Sequence, residues 1–137
     1  MRLTPIMTAT LATIAAANAQ QALFFRDANL VAVPPHHINA AAAMRHLCAG
    51  PTPSQRATGT NSHIPTGTRI IDCVRTGGTV RVTFSSELLN ATPGCDREHA
   101  IEQIDKTVLA TPGVHRCEIF VQDADGQATE IGRALGR

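Results

Sequence analysis

Residues 64 to 121 constrain the fold most. They read IPTGTRIIDCVRTGGTVRVTFSSELL, then, from Asp96, DREHAIEQIDKTVLATPGV, then HRCEIFV. Thr76-Gly77-Gly78 stands between two alternating segments, 69–75 and 79–85, and a glycine pair in that setting signals a hairpin. In the second segment Val80, Val82 and Phe84 share one face, with Thr79, Arg81, Thr83 and Ser85 on the other. In the first, Ile71 and Cys73 share a face, as do Ile70 and Val74. A half-buried sheet covered by helices on one side accounts for this pattern.

A helix follows, starting at Cys95 or Asp96 after the Thr92-Pro93-Gly94 turn. Asp96 and Glu98 suit the positive end of its dipole, and Ile101, Ile104, Val108 and Leu109 form its apolar stripe. Thr111-Pro112-Gly113 stops it. Cys117, Ile119 and Val121 then alternate with Glu118, Phe120 and Gln122 as a strand. Asp123-Ala124-Asp125-Gly126 is a turn, and 129–135 returns as a short edge strand.

Upstream, 22–25 is an apolar strand entering a turn at Arg26-Asp27-Ala28-Asn29. Residues 30–33 return beside it and end at Pro34-Pro35. Asn39 is an N-cap for a helix whose apolar face is Ala40, Ala43, Met44, Leu47 and Cys48, and Gly50-Pro51 ends that helix. Residues 51–67 are polar and read as a surface loop. Strands mixed with two helices imply an α+β, two-layer sandwich: a mixed β-sheet with two α-helices packed on one face.

Residues 1–19 carry Arg2 and no acid, and end Ala17-Asn18-Ala19. A basic start, an apolar middle and a small-x-small end form a secretory signal peptide, too short and too broken by Thr and Pro5 to be a membrane span. No Cys follows the cleavage point to carry a lipid anchor. Residues 20–137 suit one domain. Without Arg2 the 12 basic residues become 11, balancing 11 acids, so no broad field draws nucleic acid or anionic membrane. Trp and Tyr are absent and Phe numbers four, which leaves few platforms for base stacking.

Cys48, Cys73, Cys95 and Cys117 make an even count in a chain expected to be exported. Disulfides fit that setting, with three connectivities open; buried thiols acting as small hydrophobes are the other reading. The histidines, His36, His37, His46, His63, His99 and His115, lack metal-ligand spacing and read as solvated loop residues. Ser85-Ser86-Glu87 has no Gly-x-Ser-x-Gly elbow and reads as a strand exit bonding local backbone. The 123–126 turn lacks the Glu that closes a calcium loop. Arg69, Arg75 and Arg81 suggest a charged hairpin face, although Arg69 and Arg75 have the parity of Ile71 and Cys73. No catalytic, cofactor-binding or metal set is expected.

Taken in order, ALFFRD, LVAV, HLCAGP, HIPTGT, VRVTFSSELL, TVLATPGV and CEIFVQDADG resemble a GerMN domain, the sporulation and spore-germination module. The resemblance runs from Ala22 to Gly126. It implies a fold similar to the ring-building modules of secretion machines and a role in envelope assembly. The expectation is therefore an exported, non-catalytic binding or assembly module, contacting envelope proteins or itself through edge strands and the hairpin surface. The alternative is a small secreted enzyme or ligand-binding protein using 51–67 as a lid, since that segment exceeds ordinary connections.

Overall fold

The computed structural model of the chain describes residues 20–92 and 94–135, with side chains to 132. The expected signal segment 1–19 and Pro93 lie outside the described residues. The elements are β1 (Gln20–Arg26), β2 (Asn29–His37), α1 (Ala40–Ala49), α2 (Pro53–Ala57), β3 (Thr60–Asn61), β4 (Ile70–Thr76), β5 (Thr79–Ser85), a 3-10 turn (Ser86–Asn90), α3 (Cys95–Leu109), β6 (Arg116–Gln122) and β7 (Ala128–Leu135). The class is α+β, as expected. The strands form two sheets rather than one: antiparallel β2-β1-β3 and mixed β4-β5-β6-β7. In the larger sheet β5 and β6 run parallel, which requires the long crossover that α3 provides.

Core side chains come from both sheets and from α1 and α3. Ala22, Phe24 and Val33 meet Met44, Leu47, Ile104 and Val108, and these pack on Val80, Val82, Phe84, Cys117, Ile119 and Val121. The expected alternation of β5 and β6 thus holds on the inner face. On the outer face the buried Glu118 lies between two cations, with Arg81 Nη2 at 3.2 Å and Arg116 Nε at 3.0 Å. The Arg81 guanidinium also covers the Phe120 ring at 4.8 Å.

The expected parity of β4 fails at one residue. Ile70 pairs with Phe84 but Asp72 pairs with Thr83, so Ile71 is an extra residue in the strand. A bulge of this kind shifts every later side chain by one face. Ile70 and Cys73 consequently pack on the core, whereas Ile71 and Val74 are 43% and 45% exposed. β2 likewise continues to His37 through Pro34-Pro35, where an edge strand tolerates prolines, instead of ending there.

Helix α1 begins and ends as its sequence dictates. The Asn39 carboxamide oxygen accepts the Ala42 N–H at 2.9 Å, and Gly50 adopts φ 81 to close the last turn on His46 and Leu47. The segment expected as a loop contains α2 and β3. Thr52 and Gln55 form a reciprocal capping box with Pro53 in the first turn. β3 then pairs with the end of β1, Arg26 with Thr60 and Phe25 with Asn61.

Helix α3 completes β1. β3 covers only the last two residues of that strand edge. Beyond it, Thr107 Oγ1 accepts the Leu23 N–H at 3.1 Å and Gln103 Nε2 donates to the Leu23 carbonyl at 3.2 Å. Gln103 Oε1 also accepts the His63 N–H at 2.7 Å. The Gln20 side chain donates to the Thr107 carbonyl and accepts from Thr111 Oγ1. Gln103 and Thr107 are fully buried, and this is their physical reason: they satisfy backbone groups that no strand reaches.

Candidate functional site

A cleft runs between α1 and the outer strand β4. It consists of two adjoining hollows of about 420 and 500 Å³ that share Ala41 and Cys73. One is walled by Ile38, Arg75 and Pro112, the other by Arg45, Arg69 and Ile71. The small side chains Ala40 and Ala41 at the start of α1 leave this space open. Ile38, between β2 and α1, is 88% exposed at its mouth.

The β4 backbone forms the other wall. A two-residue turn at Gly77-Gly78 sets an alternation in which Thr76 and Val74 bond to β5, and Cys73 and Arg75 turn their N–H and C=O groups outward. The Asp72 carboxylate accepts the Cys73 N–H at 2.9 Å, so the strand occupies part of its own edge. Bulging and inward-turned charge are the usual means of blunting an edge.

The expected arginine face divides. Arg81 is on the outer side with Glu118, whereas Arg75 and Arg69 line the cleft with Arg45 from α1. Arg75 donates to the carbonyls of Gly77 at 3.0 Å and Pro112 at 3.2 Å. Neither Arg45 nor Arg69 is in an ion pair among the described residues.

The four cysteines are free thiols, and no disulfide forms among them. They occupy α1, β4, the start of α3 and β6, where Cys48, Cys73 and Cys117 pack with the core as small hydrophobes. Burial pushes the Cys48 thiol up to about 11. It also raises Cys73, with Asp72 adding to the rise and Arg45 opposing it. Burial raises Cys117 furthest, reinforced by the Asp105 carboxyl to which it is hydrogen-bonded. Thiols held protonated in this way are poor nucleophiles and poor metal ligands.

The histidines are not simply solvated. Two pairs form, one between the consecutive elements β2 and α1 and one between residues well separated in sequence. His37 Nε2 and His46 Nδ1 are 2.9 Å apart, and burial followed by the neighbouring His37 lowers the pKa of His46. The His63 and His99 rings lie 4.6 Å apart against Phe25, and His63 Nδ1 is 3.3 Å from Asp96 Oδ1. Among the described residues no group of three or more His, Cys, Asp or Glu is placed to hold a metal ion. His36 and His115 stand exposed and separate.

Ser85 is buried at the base of the hairpin. Its hydroxyl oxygen accepts the Arg69 N–H at 2.9 Å, while its own N–H donates to the Arg69 carbonyl at 2.8 Å. The hydroxyl bonds backbone as expected, but the partner is Arg69, 16 residues away across the hairpin, rather than a local group. The 123–126 segment is a turn in which Asp123 Oδ1 accepts from Asp125 N and Gln127 N. Residues 62–66 line a separate open hollow of about 330 Å³ with Asn90, Ala91, Thr92 and Asp96.

The bulge, Arg45 and the polar pair on α3 escaped the sequence reading. The signal for the pair was present: Ala100, Gln103, Ile104, Thr107 and Val108 follow helical spacing and are all buried. Two polar residues on a core stripe point to backbone partners.

The order of elements and the matched residues define the class. The family model of the Germane domain, described as sporulation and spore germination, matches residues 20–127, and the chain belongs to that family. Among solved structures, the first GerMN domain of the sporulation protein GerM from Bacillus subtilis superposes with a TM-score of 0.60 at 18% identity, over 86% of this chain and 96% of that one. The tandem GerMN domains of the same protein give a TM-score of 0.61 at 17% identity, over 86% of this chain and 45% of theirs. At such identity the likeness is one of fold. No curated protein sequence matches the chain. No helix among the described residues is long and apolar enough to cross a membrane.

Proposed function

We propose that this GerMN domain is an exported, non-catalytic contact module of the bacterial cell envelope, engaging envelope proteins through the cleft between α1 and β4. The observation that carries this reading is the open, arginine-lined channel beside an outer strand whose Arg75 backbone groups face outward. Strand edges next to grooves are a recurrent means of peptide recognition. The belonging to a sporulation and germination family supports an assembly role, and the signal pattern ending at Ala19 supports export.

A photo-reactive amino acid at Ile71, in the full chain expressed in its own cell, tests the reading. Adducts to envelope proteins are expected from Ile71 and not from Ala28, which is exposed in the β1–β2 turn. Equal labelling from both positions, or none from Ile71, overturns it. N-terminal sequencing of the envelope or medium fraction tests export, with Gln20 expected as the first residue.

A further inference from the structure

We propose that the cleft between α1 and β4 receives an extended, acidic segment of a partner protein, lying alongside β4 with its carboxylates toward Arg45, Arg69 and Arg75. This rests on the reading of the domain as a contact module and names the chemistry of what it contacts.

Charge is the first argument. Three guanidiniums line the two hollows against one carboxylate, Asp72, which already holds the Cys73 N–H. Arg45 and Arg69 have no ion pair among the described residues, and Arg75 bonds to neutral carbonyls. Arg69 does act at longer range on Glu87, whose pKa is lowered first by hydrogen bonds from Ser85 and its own backbone and then by the Arg69 charge. Two other arginines of the sheet differ: Arg81 and Arg116 are both committed to Glu118. A carboxylate thus stands between the guanidiniums on the outer face of the sheet, whereas in the cleft none is ion-paired with Arg45, Arg69 or Arg75 among the described residues. Complementary charge at such a site sets both partner choice and encounter rate.

Shape is the second. The hollows adjoin end to end through Ala41 and Cys73, giving a channel that follows a strand rather than a round pocket. Exposed Ile38 borders one end and exposed Ile71 the other, so apolar side chains of an extended segment have a contact at each end. Arg75 offers outward N–H and C=O groups to the segment's backbone. Asp72 occupies the next outward donor, at Cys73, and its negative charge opposes an acidic visitor. Asp72 therefore acts against binding while the arginines act for it.

These opposite signs supply the test. Purified full-length mature protein is titrated against a short fluorescein-labelled peptide alternating Val and Glu, with the Val-Lys counterpart and single-stranded DNA as comparators. Wild-type protein is expected to bind the Val-Glu peptide, more weakly at high salt, and neither comparator. The double change Arg45→Glu and Arg69→Glu should weaken binding by roughly tenfold or more. Asp72→Asn, which keeps an oxygen for the Cys73 N–H, should tighten it, and Arg56→Glu on α2 should leave it unchanged. Circular dichroism confirms folding of each variant. Equal binding by the double variant, loosening by Asp72→Asn, or preference for DNA overturns the proposal. Envelope adducts at Ile71 without Val-Glu binding would refute the acidic occupant alone; absence of both would refute the contact module as well.

Discussion

Gln103 on α3 donates its side-chain N–H to the carbonyl of Leu23 on β1 at 3.2 Å, across 80 residues of sequence. With Thr107 on the Leu23 N–H, a helix completes the strand edge that β3 leaves uncovered. Gln103→Leu fills the same volume but orphans the Leu23 carbonyl and the His63 N–H. A loss of about 2–4 kcal/mol is expected for two buried unsatisfied groups. Urea unfolding measures it, and a loss below about 0.5 kcal/mol would show that water replaces Gln103 without penalty.

Val82 and Arg81 lie on opposite faces of β5. Val82 is fully buried, so Val82→Asp places a carboxylate without a partner in the core and should leave the domain unfolded. Strand parity alone suggests that Arg81→Asp is neutral. Its pairing with the buried Glu118 argues otherwise, because Asp would face that carboxylate. A loss of about 1–2 kcal/mol is expected, and Arg81→Met, which removes charge without reversing it, should cost less. Melting curves for the three variants decide the order.

Asp105 carries a pH signature. Burial raises its carboxyl from 3.8 to about 6, although the Cys117 hydrogen bond and Lys106 pull the other way. A folded-state pKa above the unfolded one means that the stabilisation is complete below pH 3.8 and lost as pH rises through about 6. At neutral pH the fold therefore holds an ionised carboxylate in a poor environment. Asp105→Asn should raise stability by about 1 kcal/mol above pH 7, allowing for partial exposure, and the gain should vanish toward pH 4. Denaturation midpoints that respond equally at both pH values would contradict this.

The β1–β2 turn contains one strained residue. Asp27 adopts φ 57, a left-handed conformation that glycine reaches without penalty. Asp27→Gly should stabilise by about 0.5 kcal/mol, since relief of strain exceeds the added freedom of the unfolded chain. A lower melting temperature would show that the Asp side chain contributes more than its backbone costs.

Much of the architecture is legible in sequence because its signals are local. Asn39 and Gly50 bound α1, Gly77-Gly78 turns the hairpin, and alternation places Val80, Val82 and Phe84 inside. The division into two sheets is not legible, because it depends on which strands meet across long stretches of chain. α2 was obscured by its polar composition, although Thr52 and Gln55 at capping-box spacing mark its start. The Ile71 bulge is silent because 69–75 alternates acceptably in either register. The cleft depends on that bulge and on Arg45 from a different element, so its three arginines cannot be assembled from spacing. The His63–His99 pair was missed for the same reason, since tertiary packing brings it together, whereas His37 and His46 are nine residues apart and meet where β2 gives way to α1.

The anchoring of Gln20 bears on how this chain can be trimmed. Its side chain is tied to the last turns of α3, and the strand it opens passes through the middle of the smaller sheet. A peptidase cutting before Gln20 leaves every one of these ties intact, whereas one cutting a few residues later strips out a central strand. The folded body therefore tolerates little trimming past Gln20, because the residues that follow it are a central strand.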